Sequence, residues 1–181
     1  LSSSSAASDV YKRQEYAQVA ECAALRPLMA ARMAEHNASL SAAGASRPLD
    51  LVLFAECIEH VARAHRVLRR ARGHLLLLGA PSSGRRSCAR LAAAMLEMEV
   101  LEPSVTASGT YGAAEWRDDL RRWTARAGRD GAHCVLLLAD ADLARRGALD
   151  DVHELLASGG VFGLFAPCLL YTSPSPRDGL L

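Results

Sequence analysis

The chain has 181 residues, half of them hydrophobic, with 21 Lys plus Arg against 20 Asp plus Glu and a formal charge of +1. That length suits one domain, and the apolar content is ample for a core. The balanced charge offers no basic surplus for nucleic acid or a membrane surface, and no apolar run approaches the ~20 residues that span a bilayer.

Five cysteines, Cys22, Cys57, Cys88, Cys134 and Cys168, include no CxxC pair and no His at metal-ligand spacing. So irregular a set reads as reduced thiols, with a single disulfide left open. Lys12 is the only lysine, and it lies in the Ser/Ala-rich opening. Residues 1–14 and the Pro/Ser-rich residues 168–181 have neither helical nor strand period. They resemble translated adapter sequence and are set aside as artefactual or disordered tails.

Residues 15–48 read as a helical segment and linker. Val19, Cys22 and Leu25 share a face, and Pro27 interrupts it, fitting the first turn of a second helix that holds Leu28 and Met29. "SLSAAGASRP" (39–48) is small, polar and Gly/Pro-punctuated, hence a linker. Beyond it, Leu51, Phe54, Ile58, Val61 and Leu68 recur at helical spacing, with Asp50 as N-cap and Gly73 closing the helix. "HLLLLG" (74–79) is a continuous apolar run, the mark of a strand buried on both faces. Residues 85–96 form a helix with Cys88, Leu91, Ala92 and Met95 inward, and "MEVLE" (98–102) alternates like a strand. Trp116, Leu120, Trp123 and Ala127 make another helical stripe, capped by Gly128. "CVLLLAD" (134–140) is a second buried strand. "ALDDVHELLASGG" (148–160) is a helix with Leu149, Val152 and Leu156 inward. Strands alternating with helices of about 10–15 residues mean α/β with a parallel sheet.

The chemistry concentrates at "GAPSSGRRS". A phosphate-binding loop follows G-x-x-x-x-G-K-[ST] between a strand and a helix. Gly79 and Gly84 have that spacing, with Ala80, Pro81, Ser82 and Ser83 between them. Backbone amides of such a loop, with the helix N-terminus behind, cradle an anion without help from side chains. Arg85 stands at the lysine position and Arg86 at the Mg²⁺-hydroxyl position, with Ser87 one place late. Arg keeps the charge, but its flat fork is bulkier than an ammonium. About 60 residues on, "VLLLAD" supplies Asp140, an acid closing an apolar strand, placed to hold Mg²⁺ through water. Ala141 follows where an activating glutamate would stand, and Asp142 is a doubtful substitute. A bare strand–turn–helix connection remains the alternative. His60 and His65, five apart, miss the spacing of a metal pair. Trp116 and Trp123 read as core anchors. The arginines of "RVLRRARG" read as a solvated helix end, with a phosphate or subunit contact as the alternative.

"PLDLVLFAECIEHVARAHRVLRRARGHLLLLGAPSSGRRSCARLAA" resembles the fourth AAA+ module of axonemal-type dynein heavy chains, which reads close to "ALLVGVGGSGKQSLTRLAA" at the loop. "YGAAEWRDDLRRWTARAG" and "VLLLADADLARRGALDDVHELLASGGVFGLF" are similar to later stretches of that module, and the likeness runs from about Tyr16 to Phe165. The resemblance implies a three-layer αβα P-loop NTPase of the AAA+ class with a parallel sheet, residues 49–167 being a partial domain that lacks the later strands, sensors and lid. It implies a piece of an ATP-driven microtubule motor, working beside other AAA+ modules of the same heavy chain, with intermediate and light chains and microtubules as the parent's partners, and no nucleic acid or membrane. It implies cytoplasm and cytoskeleton, in the axoneme of a cilium or flagellum, and a stalk coiled coil in the parent. ATP or ADP with Mg²⁺ would sit on Gly79–Ser87 and Asp140. No catalytic residue is assigned, because Arg85 replaces the lysine, Ser82 a glycine, and Ala141 the glutamate. A regulatory site without fast turnover is the expectation; a non-binding scaffold module and a stand-alone P-loop NTPase or kinase are the alternatives. AAA+ strand order also implies that strands 74–79 and 134–140 lack the neighbour that belongs between them, leaving a piece of marginal stability when isolated.

Overall fold

In a computed structural model the residues described are 22–42, 48–103 and 111–165. Both tails, Val19 and the stretch 104–110 therefore lie outside the described residues. A 3₁₀ turn at Cys22–Leu25 leads into α1 (Arg26–Ala42), with Pro27 in its first turn as the sequence demands. The helix runs further than the linker reading allowed, through Ser39–Ala42. Ser39 and Ser41 there donate hydroxyl hydrogen bonds to the carbonyls of Glu35 and Asn37, so their polarity is absorbed within the helix. Asn37 closes the next connection, since its side chain accepts from the Leu49 amide at 2.7 Å and donates to the Leu49 carbonyl at 2.8 Å.

α2 (Ala55–Leu68) buries Cys57, Ile58, Val61, Ala64 and Leu68 along one stripe. Asp50 is not its N-cap. Phe54 holds that position with extended backbone and no side-chain cap, and its ring is 54% exposed because it precedes the helix rather than lying on its stripe. α3 (Arg85–Met95) sets Cys88, Leu91 and Ala92 against that stripe, with Met29 of α1 completing the cluster. β1 (Glu99–Leu101) and β2 (Cys134–Leu136) pair in parallel, Glu99 against Cys134 and Leu101 against Leu136.

α4 (Ala113–Gly128) and α6 (Ala148–Ser158) build a second cluster from Tyr111, Trp116, Leu120, Ala148 and Leu164. The tryptophans meet edge to face, centroids 6.0 Å apart. Gly159 ends α6 in the left-handed conformation at φ 83°. Two helix-face expectations are corrected. Ala127 is exposed, and on α6 the inward positions are Ala148, Asp151 and half-buried Val152, while Leu149 and Leu156 are 60% and 46% exposed. The ion pair of Asp151 with α4 rotates that face inward. An open cleft of about 370 Å³, lined by Leu101, Leu120, Trp123, Leu136 and Leu155, separates the sheet from α4 and α6.

The largest departure concerns 74–79. This segment takes no regular secondary structure and pairs with no strand among the described residues, and Leu76 and Leu78 are 80% and 82% exposed. The reason is nonlocal: a strand exists only through a neighbour's hydrogen bonds, and none of the described strands lies beside it. For the same reason β2 stops at Leu136 instead of reaching Asp140, with only the Leu137 amide continuing the ladder to the Leu101 carbonyl at 2.9 Å.

Candidate functional site

The loop between residues 74–79 and α3 turns on two left-handed residues. Ser82 has φ 61° and Gly84, the N-cap of α3, has φ 79°. Ser82 therefore carries a strained backbone where glycine would be free of it. Ala80 accepts from the Ser83 amide at 3.3 Å, and Gly84 accepts the first helical bond from the Cys88 amide at 2.9 Å. The amides ahead of Cys88 are the unpaired donors that every helix start presents. At Gly79 the loop closes on itself: a Cβ there would meet Ser83 Oγ at 3.2 Å and Arg85 Cδ at 3.3 Å.

The arginines part company. Arg85 lies along Gly79 and has no hydrogen bond or ion pair among the described residues. Among the described residues no carboxylate stands against its charge. Arg86 turns to Glu102, just beyond β1, with Nη2 to Oε2 at 2.9 Å. Arg90 grips the same carboxylate through two bonds, at 2.8 and 2.7 Å. Arg86 thus serves the α3–β1 joint. Ser87 is half-buried in the first turn.

Burial works to raise the Glu102 carboxyl, but the hydrogen bonds and charges of Arg90 and Arg86 prevail and hold it below its usual range. A folded-state value below the unfolded one, about 4.3, gives stability that is complete above that pH and is lost as pH falls through the folded value. The thermal midpoint of the chain is therefore expected to drop on acidification from pH 5, and Glu102→Gln is expected to flatten that part of the curve. The same variant should cost about 1 kcal/mol at pH 7 in urea titration. An unchanged acid limb in Glu102→Gln would count against this joint.

Parallel pairing places the acid. Glu102 marks the C-terminal end of β1 beside the first turn of α3, and β2 leaves the sheet at that same end toward Asp140. Asp140 is the exposed first residue of α5 (Asp140–Leu143), and Ala141 beside it is also exposed. Asp142 is buried and reaches back to the Ala139 amide at 2.9 Å, with Arg145 on its other oxygen at 3.4 Å. It is a helix-start brace.

Composition gave no sign of the polar lattice around α4. Tyr111 donates to buried Asp119 at 2.6 Å, and Arg122 pairs with the same carboxylate. Burial pushes the Tyr111 hydroxyl up, which keeps it a donor. Trp116 Nε1 and Arg117 both bond Asp151, at 2.9 and 3.1 Å. Arg145 lies over the Tyr111 ring, 4.5 Å from its centroid. Among the described residues no group of His, Cys, Asp or Glu gathers as a metal would require, and no helix is long and apolar enough to cross a membrane.

A family described as the P-loop containing dynein motor region D4 matches residues 49–167. The chain is 34% identical over 152 residues to dynein axonemal heavy chain 2 of Homo sapiens, which spans 84% of this chain and 3% of that protein. It is 38% identical over 122 residues to cytoplasmic dynein 2 heavy chain 1 of Tripneustes gratilla, covering 67% and 3%. It is 37% identical over 135 residues to the dynein-1-alpha heavy chain of the flagellar inner arm I1 complex of Chlamydomonas reinhardtii, covering 75% and 3%.

Proposed function

The chain belongs to the dynein heavy chain motor family, with an incomplete αβα AAA+ fold, and we propose that it is the fourth module of the ring, holding ATP or ADP at Gly79–Ser87 as a regulatory site. The observation that carries this reading is Arg85. Its guanidinium has no counter-ion among the described residues, and it lies on a loop whose left-handed Ser82 and Gly84 precede the open amides of α3. That combination fits a phosphate chain. The metal half fits less well. Arg86 is engaged by Glu102 and Ser87 is one place late, so Mg²⁺ would rest on Asp140 alone, through water.

Bound nucleotide would supply charge that orders the loop. The amides of Ala80, Ser82 and residues 84–87 (Pro81 has no N–H and Ser83 donates to Ala80) would hold the phosphates together with Arg85, and Asp140 would steady the metal from the shared end of the sheet. Fast hydrolysis is not assigned to this module, because Ala141 has no group to polarise a water. Turnover belongs elsewhere in the parent, proposed as an ATP-driven microtubule motor of the axoneme, with the remaining AAA+ modules, intermediate and light chains and microtubules as its partners. Support for the axonemal assignment is the naming of the relatives; this chain spans about 3% of their length.

The test is titration of a fluorescent ATP analogue with Mg²⁺ against the heavy-chain module and its Arg85→Lys variant. Binding by the unmodified module is expected, tightened about tenfold, or about 1.4 kcal/mol, by a lysine that fits the loop closely. Binding that arises only after restoration would favour the scaffold reading instead. Rapid single-site hydrolysis by the unmodified module would overturn the regulatory one.

A further inference from the structure

Cys57 on α2 and Cys88 on α3 face each other across the packed helices with sulfurs 3.9 Å apart, both as free thiols. They are 4% and 8% exposed. Cys88 lies in the first turn of α3, where its amide donates to Gly84, so it is one helical turn from the loop. A disulfide needs sulfurs about 2.05 Å apart on side chains that already point at each other, and two thiols in contact reach that by small rotations. We propose that Cys57 and Cys88 are a disulfide-forming pair, oxidised by a peroxide, whose closure ties the helix behind the loop to α2. The proposal rests on the α2–α3 contact and not on nucleotide binding at the loop.

The chemistry balances without a metal or cofactor. One sulfur, as thiolate, attacks a peroxide oxygen, the O–O bond breaks, and hydroxide leaves with the proton that the thiol gave up. The resulting sulfenic acid is attacked by the second sulfur. An S–S bond forms, the S–O bond breaks, and water leaves. Two thiols are oxidised and one hydrogen peroxide becomes two waters.

Burial sets the rate. It pushes the Cys88 thiol up to about 11, with Cys57 adding to the rise, so thiolate is scarce while the helices stay packed. Oxidation therefore proceeds through openings of the α2–α3 contact, and the first turn of α3, following strained Ser82, is the part whose opening exposes Cys88. Reclosure then presents the second thiol to the first. Once formed, the bond spans residues 57 to 88, removes freedom from the unfolded chain, and holds α3 in place.

The experiment treats the full 181-residue chain with hydrogen peroxide, blocks remaining thiols with iodoacetamide, and maps tryptic peptides without reduction. The expected product has lost two hydrogens in a single cross-linked peptide joining Cys57 to Cys88, in large excess over pairs that involve Cys22, Cys134 or Cys168. Its thermal midpoint is expected to rise by about 5–10 °C and to return with dithiothreitol. Three results would overturn the proposal. One is separate sulfenic or sulfinic acids without a cross-link. Another is a distribution of pairs equal to that of the urea-unfolded chain. The third is no reaction at peroxide levels that pair the cysteines of the unfolded chain.

Discussion

Trp116→Ala is expected to remove about 3–5 kcal/mol of stability, as urea denaturation followed by circular dichroism would measure it. The indole is 1% exposed in the second cluster, against Tyr111, Leu120, Ala148 and Leu164. Truncation opens a cavity there and leaves Trp123 without its edge-to-face partner. It also strands a buried acid: Asp151 would keep only Arg117, half-exposed at 44%, in place of two donors. Against a typical total of about 5–15 kcal/mol, such a loss unfolds a large part of a small domain. Trp116→Phe keeps a six-membered ring in the cluster but removes the Nε1 donor with the rest of the indole, and should cost about 1–3 kcal/mol. A loss below about 1 kcal/mol for the alanine variant would mean that this cluster does not hold the fold.

The same pair of residues marks the limit of reading by pattern. Ile58, Val61 and Leu68 announced their shared face because a helix repeats every 3.6 residues, a local property visible in any window. Gly79 and Gly84 announced a tight turn ahead of α3, where Ser82 and Gly84 are indeed left-handed. Asp151 announced nothing, since its burial depends on an indole 35 residues away. Arg86 likewise reads as a loop residue until Glu102, 16 residues on, claims it. The run at 74–79 fails in the opposite sense. Four leucines state that the segment prefers to be covered, but the hydrogen bonds that make a strand belong to another segment, and Leu76 and Leu78 stand exposed without one. Asp140 sits between these cases. Its end of the sheet was legible from the apolar run before it, whereas its place as the first residue of a short helix follows from the brace that Asp142 gives Ala139.

Gly73→Ala is expected to cost about 3 kcal/mol or more, and to disturb the loop as well as the core. α2 ends at Leu68, Arg72 takes a left-handed turn at φ 56°, and Gly73 passes back across the last turn, its amide donating to the Arg70 carbonyl at 3.0 Å. A Cβ at this position would stand 1.9 Å from the Val67 carbonyl oxygen, far inside contact distance, 2.8 Å from its carbon and 3.0 Å from the Arg70 oxygen. All three are backbone atoms, two in the last turn of α2 and one just beyond it, so no rotamer change relieves the clash. The chain must instead move, and what it carries next is 74–79 and the loop ahead of α3. Overpacked sites of this kind cost about 1–3 kcal/mol when side chains can yield, which sets the lower bound where they cannot. The variant should therefore lose thermal stability and bind the ATP analogue more weakly, whereas Gly128→Ala, where a Cβ meets nothing within 4 Å, should do neither and gain slightly through helix propensity. Equal stability of the two variants would show that the turn after α2 does not fix the path of the chain into the loop.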